Sequence, residues 1–204
     1  MAERSGVHSI LAFAPVYRLF SRLIAGRFYA RYVSEFVHAQ QGDRILDIGC
    51  GPADILEYLP APSYHGIDIS TKYIVAASRR FGDRATFSCV GVADASVDNP
   101  GSYDIVLANG VLHHLNDEQA LQLLQLAHGA LRPGGRLVTF DGCFTPDQSR
   151  IAAWLLRMDR GKHVRPEAEY VRLASEVFPV VTAQVRHGML RLPYTHVFME
   201  CRKN

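Results

Sequence analysis

The sequence predicts an α/β protein built on a mostly parallel sheet with helices on both faces. Strand-like and helix-like segments alternate between residues 44 and 141, as they do in parallel sheets that helices cover. A short apolar strand at residues 45–48 runs directly into a turn that contains Gly49 and Gly51, and a second short strand ends in Asp68. A glycine-containing turn followed by an acid at the end of the next strand is typical of a β-α-β unit that binds a nucleotide cofactor.

Two helices are predicted ahead of this core. Apolar side chains recur there at helical spacing and arginines lie between them, which is the pattern of an amphipathic helix. The apolar positions are Val16, Leu19, Phe20, Leu23 and Ile24, and the arginines are Arg18, Arg22 and Arg27. A second helix at residues 28–36 follows Gly26. We expect this region to cover the active site as a lid, and contact with a membrane surface is the alternative.

The core segments then follow in regular order. Strands are predicted at residues 44–48, 63–68, 85–90, 103–108 and 135–141, and helices at 53–59, 71–81 and 117–131. Pro133 and Gly134 end the last of these helices, because proline cannot continue a helix and glycine allows a left-handed turn.

The pattern changes after residue 141, where we expect substrate specificity to reside. Helices are predicted at residues 147–158 and 167–178, and two closing strands at 180–185 and 197–201. The apolar side chains of the first of these helices are expected to lie over the open end of the sheet. They are Ile151, Trp154, Leu155 and Met158.

The third position of the glycine fingerprint bears on the choice of cofactor. A turn that binds a dinucleotide pyrophosphate has glycine or alanine there, whereas this chain has Asp54, whose charge would repel a pyrophosphate. Together with Glu57, Asp54 is better interpreted as the N-terminal cap of the following helix. NAD and FAD are therefore disfavoured. A ligand with a ribose and an ammonium group but no phosphate would suit Asp47 beside the turn, and S-adenosylmethionine has these groups.

Five segments in order resemble the class I S-adenosylmethionine-dependent methyltransferases. They are residues 45–51 (ILDIGCG), 66–70 (GIDIS), 92–95 (VADA), 103–115 (YDIVLANGVLHHL) and 131–138 (LRPGGRLV). The resemblance covers residues 40–140 and implies a three-layer Rossmann-like fold with a seven-stranded sheet and an antiparallel last strand. One departure is Ala53, where many members of the family have a third glycine.

The resemblance also implies roles for the matching residues. Asp47 and the turn Gly49–Cys50–Gly51 would hold the methionine end of the cofactor. Asp68, followed by Ile69, would accept both ribose hydroxyls, since a carboxylate has two acceptor oxygens. At the other end of the cofactor, Asp94 would bind the adenine amino group, with the amide of Ala95 near the ring nitrogens. Asn109 would lie close to the sulfonium.

Candidates for acceptor binding and proton removal lie at the carboxyl ends of the fourth and fifth strands. His113 and His114 follow the fourth strand, and Asp141 ends the fifth. Histidine suits the deprotonation of a hydroxyl near neutral pH. Because adjacent residues on a turn face different ways, one histidine is expected to contact substrate, and we favour His113. Weaker substrate candidates are Tyr17, Arg160 and His196, and no metal site is predicted.

The acceptor is expected to be a small molecule that is methylated on a hydroxyl oxygen, such as a sugar or a secondary metabolite. Enzymes that methylate planar amines resemble one another in an Asn/Asp-Pro-Pro-aromatic run, and residues 108–111 read Ala-Asn-Gly-Val instead. Alternatives are a lipid- or quinone-type C- or O-methyltransferase at a membrane surface, a non-catalytic cofactor-binding protein and, more distantly, a dinucleotide reductase.

Composition sets the remaining expectations. A length of 204 residues fits one domain. It divides into a helical lid (1–40), a cofactor-binding core (41–141), a lid insertion (142–165) and a C-terminal helix with strands (166–204). The net charge of +2 gives no case for nucleic-acid binding. Four cysteines without metal or disulfide spacing, no signal peptide and no long apolar run favour a cytoplasmic protein.

Overall fold

Seven strands form one sheet in the computed structural model, which describes residues 27–60, 63–95, 100–158 and 161–204. The strands are β1 (Arg44–Ile48), β2 (Ser63–Asp68), β3 (Ala85–Cys89), β4 (Tyr103–Asn109), β5 (Leu131–Phe144), β7 (Val180–His187) and β8 (Thr195–Arg202), and the two-residue β6 (Arg165–Pro166) pairs with the end of β5. Their order is β3-β2-β1-β4-β5-β8-β7. Neighbours from β3 to β5 are parallel, and β8 is antiparallel to both β5 and β7. The prediction of a mostly parallel sheet with an antiparallel last strand is confirmed.

Helices cover both faces of this sheet. They are α1 (Phe28–Tyr32), which continues as a π-helical turn (Val33–Val37), α2 (Thr71–Phe81), α3 (Asp117–Ala130), α4 (Arg150–Met158) and α5 (Glu167–Ser175). Side chains of β1 alternate between two cores, since Leu46 packs with the α3 and α5 side and Ile45 with the α1 and α2 side. The three-layer arrangement is therefore confirmed. The helix expected at residues 16–27 lies outside the described residues.

Local sequence signals explain where two long helices begin. Ser70 caps α2 by accepting a hydrogen bond from the backbone N–H of Tyr73, at 3.4 Å. Asn116 and Gln119 form a reciprocal capping box at the start of α3, with bonds of 2.9 and 3.2 Å. These caps place the loops after β2 and β4 at the carboxyl edge of the sheet.

The helix predicted at residues 53–59 is wrong, because only a 3-10 turn (Asp54–Glu57) forms there. Ala53 precedes the turn in the left-handed conformation, with φ of 57°, and no side chain caps it. The carboxylates of Asp54 and Glu57 instead both bind the guanidinium of Arg80 in α2. The predicted capping role of Asp54 is therefore wrong as well.

Three apolar side chains of α4 point to solvent, although they were predicted to lie over the sheet. Ala152 and Leu156 are buried under the helix, whereas Ile151, Trp154 and Met158 are 61, 57 and 66% exposed. The expectation that the apolar side chains of this helix cover the sheet is wrong for those three. Within the described ranges, no helix is long and apolar enough to cross a bilayer.

Candidate active site

A cavity of about 800 Å³ opens at the carboxyl ends of β1, β2 and β4. Its walls come from the turn after β1, the loops after β2, β3 and β4, helix α1 and the adjoining ends of β5 and β8. Ligands of open α/β sheets bind at this edge. The volume lies within the usual range for small-molecule sites.

The glycine turn after β1 is tied to β2 and packed under the loop after β4. The backbone N–H groups of Gly49 and Cys50 both donate to the carbonyl of Ile67, at 2.8 and 3.0 Å. Gly49 has φ of 74°, and a Cβ atom there would lie 2.5 Å from Cγ2 of Val111. At Gly51, by contrast, a Cβ atom would meet nothing within 4 Å. The turn thus needs glycine for packing at its first position and leaves open space at its second.

Asp68 presents its carboxylate to the cavity in a fixed orientation. One oxygen accepts a hydrogen bond from the backbone N–H of Ser70 at 2.7 Å, and the other from that of Gly51 at 2.9 Å. Each carboxylate oxygen can accept a further bond, so the group can bind two neighbouring hydroxyls. Ile69, 81% exposed, lines the cavity beside it and offers an apolar surface to a flat ring.

Asp47 is a buried carboxylate at the cavity wall, only 2% exposed. Its Oδ2 accepts a hydrogen bond from the hydroxyl of Tyr64 at 2.6 Å, while its Oδ1 has no hydrogen-bond partner among the described residues. Burial raises the pKa of Asp47 to about 7, although the Tyr64 bond acts in the opposite direction. A buried acid with an unsatisfied oxygen fits an ammonium group, which would supply the missing hydrogen bond and charge.

The other residues predicted to bind the cofactor are distributed along the same cavity, with one exception. Cys50, Asp94 and Asn109 line it together with the residues described above. Ala95 does not; it packs against the hydrophobic core. The lining therefore fits S-adenosylmethionine, with an acid at the ammonium end and a carboxylate for the ribose.

A hydrogen bond from α1 orients the side chain of Asn109. The hydroxyl of Tyr32, which is fully buried, donates a hydrogen bond to Oδ1 of Asn109 at 2.6 Å. Burial and the charges of Asp47 and Asp141 raise the pKa of Tyr32, so it stays a donor. Tyr32 is not predicted as a site residue, because nothing in the sequence brings residue 32 next to residue 109.

The rings of the two adjacent histidines pack together, with centroids 4.1 Å apart, but only one of them lines the cavity. His113 is 7% exposed, and its backbone N–H and ring Nδ1 both lie within hydrogen-bond distance of Oδ1 of Asp141, at 3.1 and 2.8 Å. A Cβ atom at Gly161 would lie 2.1 Å from the His113 ring. Gly161 therefore packs directly against this ring. His114, in contrast, is exposed and lines the cavity. The structure therefore brings His114 to the cavity and places His113 behind it.

Asp141 is fully enclosed. Its burial raises its pKa, and the hydrogen bonds from His113 lower it, with the effect of burial the larger. Neither Asp141 nor His113 lines the cavity. The two residues form a buried pair, which ties the 3-10 turn (Leu112–His114) to β5 and so supports the neighbouring His114.

Arg165, which sequence analysis also missed, fixes this turn from the other side. Its guanidinium is buried and donates to the carbonyls of Leu112 and Leu115, at 3.0 and 2.7 Å, and to the carboxylate of Asp117 at 2.8 Å. The sequence offers no signal for this role, because the burial of Arg165, which makes several acceptors necessary, is visible only in the structure.

Aromatic rings form the end of the cavity beyond Asn109. Phe28 and Phe140 pack edge to face at 4.9 Å, and His196, 5% exposed, lies beside both. Tyr29 and Tyr58 stack at 5.9 Å on the same cavity. Of the predicted substrate residues only His196 is seen here, since Tyr17 and Arg160 lie outside the described residues.

The chain is similar to known methyltransferases. Residues 46–137 match the family described as "Methyltransferase domain". A ubiquinone biosynthesis O-methyltransferase of Idiomarina loihiensis is 24% identical over 60% of this chain and 50% of its own length. A 27-O-demethylrifamycin SV methyltransferase of Amycolatopsis mediterranei is 33% identical over 55% of this chain and 43% of its own. The chain thus spans about half the length of these curated relatives.

A solved structure of another methyltransferase has a similar fold. It is the 1,6-didemethyltoxoflavin-N1-methyltransferase of Burkholderia thailandensis with bound 1,6-didemethyltoxoflavin and S-adenosylhomocysteine. Its TM-score is 0.68 at 19% identity, over 100% of this chain and 93% of that one. At this identity the likeness establishes the fold.

Proposed function

Since the chain belongs to the class I S-adenosylmethionine-dependent methyltransferases, we propose that it transfers a methyl group from S-adenosylmethionine to a hydroxyl oxygen of a small molecule, a secondary metabolite or a sugar. The observation that carries the proposal is the pair of carboxylates on one cavity. Asp47 has a buried, unsatisfied oxygen suited to an ammonium group, and Asp68 is oriented for two hydroxyls. The name of the Idiomarina relative supports oxygen as the methylated atom.

The bound cofactor would supply a methyl group on a sulfonium, which is a good leaving group in a direct displacement. The protein contributes position and proton removal. Asp47 would fix the ammonium group of the cofactor and Asp68 its ribose, and the aromatic rings around Phe140 would hold the acceptor in line and exclude water. His114, which lines the cavity and is exposed, would take the hydroxyl proton and pass it to solvent.

Calorimetry with S-adenosylmethionine and S-adenosylhomocysteine, with NADH as a control ligand, tests the cofactor half. We expect micromolar binding of the first two and none of NADH. Asp68→Ala should weaken binding about 10- to 100-fold, because the ribose loses a charged acceptor. The exposed Asp83 provides the matched control, Asp83→Ala, which should bind as the parent does. NADH binding, or unchanged affinity in Asp68→Ala, would contradict the assignment.

A second candidate function is favoured by the exposed side of α4. Ile151, Trp154 and Met158 form an apolar ridge there, and Arg150 and Arg157 lie beside it. Such a surface suits an anionic membrane, and thus a lipid- or quinone-type acceptor. Trp154 is the only tryptophan of the chain, so its fluorescence reports on the ridge directly. A blue shift with anionic vesicles would favour this candidate, and an unchanged spectrum at millimolar lipid would remove it.

The proposal also places the enzyme in the cytoplasm. All four cysteines are free thiols, and Cys50, Cys143 and Cys201 are buried. Reduced thiols of this kind suit a reducing compartment.

A further inference from the structure

The orientation of the Asn109 amide determines what the acceptor atom meets. Tyr32 makes no other side-chain hydrogen bond to the described residues, so its proton goes to Oδ1 of Asn109. In the reversed amide orientation this buried hydroxyl proton would have no acceptor among the described residues. The Nδ2 amide group therefore lies on the other side and is a donor, and it makes no hydrogen bond to a described residue.

A donor at this position distinguishes oxygen from nitrogen acceptors. An attacking hydroxyl oxygen has a second lone pair and gains negative charge as its proton leaves, so an N–H donor stabilises it. A neutral amine has one lone pair, which the attack itself uses. A hydrogen bond from Asn109 would compete with the reaction of an amine.

The walls beyond Asn109 restrict the shape and charge of the acceptor. The rings of Phe28, Phe140 and His196 enclose this end of the cavity, with Leu190 beside them. Among the described lining residues, the charged groups are carboxylates and none is lysine or arginine. The described walls therefore offer no counter-charge to a phosphate or carboxylate on the acceptor, and at the aromatic end they present mostly carbon to the hydroxyls of a sugar.

We propose, resting on the methyltransferase function above, that the acceptor is a planar, uncharged molecule with a phenolic or enolic hydroxyl, and that Asn109 donates a hydrogen bond to its reacting oxygen. The hydroxyl proton passes to His114. The oxygen lone pair forms the new bond to the methyl carbon, the methyl–sulfur bond breaks, and its electron pair stays on sulfur as a neutral thioether. Tyr32 is a positioning residue, since it acts only by orienting Asn109.

Binding to the protein saturated with S-adenosylhomocysteine separates this proposal from the methyltransferase assignment. The probes are 2-naphthol, 2-naphthylamine, 2-naphthoate and methyl glucoside, titrated by calorimetry. We expect 2-naphthol to bind at least 10-fold more tightly than the amine and the carboxylate, and methyl glucoside not to bind at millimolar concentration. Tighter binding of naphthoate or the glucoside, or no binding of naphthol to the loaded protein, overturns the acceptor class and leaves cofactor binding intact.

Tyr32→Phe tests the role assigned to Asn109. Without the Tyr32 hydroxyl the amide can reverse, so the preference for naphthol over naphthylamine should fall about 10-fold while S-adenosylhomocysteine affinity stays within twofold. The matched control is Tyr103→Phe, at the opposite end of β4, whose hydroxyl contacts His65. The control should keep the naphthol preference. An unchanged preference in Tyr32→Phe, or an equal loss in both variants, overturns the positioning role.

Discussion

Replacing Asp47 by asparagine should stabilise the ligand-free protein and weaken cofactor binding. Asparagine keeps an acceptor for the Tyr64 hydroxyl but removes a buried charge that has no counter-ion among the described residues. The folded protein holds the Asp47 proton until about pH 7, whereas the ordinary pKa is 3.8. Since a tenfold change in a protonation constant is worth about 1.4 kcal/mol, ionising Asp47 costs roughly 4 kcal/mol of stability above pH 7.

The sign of the pH dependence follows from which state holds the proton. Between about pH 4 and pH 7 the unfolded chain is ionised at this residue while the folded protein keeps its proton, so stability falls as pH rises through this range. For the parent protein we expect a fall of roughly 2–3 kcal/mol between pH 5 and pH 8 from this group. Asp47→Asn should lack this fall, and its advantage over the parent should be greatest at pH 8.

Urea unfolding followed by circular dichroism at pH 5, 6, 7 and 8 measures these differences. Asp83→Asn, at an exposed position, is the control and should follow the parent curve. Calorimetry at pH 8 should show about 10- to 100-fold weaker S-adenosylhomocysteine binding by Asp47→Asn, because the ammonium loses its charged partner. A variant that is less stable than the parent at pH 8, or a parent with the same pH dependence as the variant, would refute the reasoning.

Three further experiments test the packing of the site. In urea unfolding, Ala53→Gly should change the free energy of unfolding by less than about 1 kcal/mol, because relief of the left-handed backbone strain offsets the loss of a buried methyl group. The control is Ala77→Gly, at a buried position within α2, which should lower the free energy of unfolding by about 2 kcal/mol. Gly49→Ala should abolish S-adenosylhomocysteine binding or lower the melting temperature, and adding Val111→Ala should restore part of the loss by removing the clashing methyl. Arg165→Leu should lower the free energy of unfolding, measured by thermal unfolding, by about 3–5 kcal/mol, because it leaves buried carbonyls without donors. A decrease of less than about 1 kcal/mol would contradict the role given to Arg165.

The cofactor half of the cavity could be predicted from the sequence because it is encoded locally. The turn after β1 and the end of β2 each need only a few consecutive residues, and a parallel pairing brings Asp47 beside Gly66 at the edge of the sheet. Strand alternation and capping signals located the remaining core elements in the same way. The error at residues 53–59 arose because the bonds of Asp54 and Glu57 to Arg80 outweighed the local capping pattern.

Apart from the single candidate His196, the acceptor half could not be predicted, because it is assembled from side chains far apart in the chain. Phe28, Phe140 and His196 meet only once α1 lies across β5 and β8, and residue 109 is oriented by residue 32. Each of these aromatic residues is an ordinary core residue in its own segment. A single sequence contains no signal for such long-range contacts, so the chemistry of this end had to come from the structure.

The fixed geometry around the 3-10 turn (Leu112–His114) explains why the two histidines take different positions. Asp141 accepts from both the backbone and the ring of His113, which makes that residue part of the support beneath the turn. Arg165 binds the carbonyls of Leu112 and Leu115 at the two ends of the same turn. Because both sides of the turn are held, its remaining histidine, His114, faces the cavity. Asp141 therefore fixes this turn without lining the cavity, whereas the carboxylate of Asp47 lines the cavity and has one oxygen without a hydrogen-bond partner among the described residues.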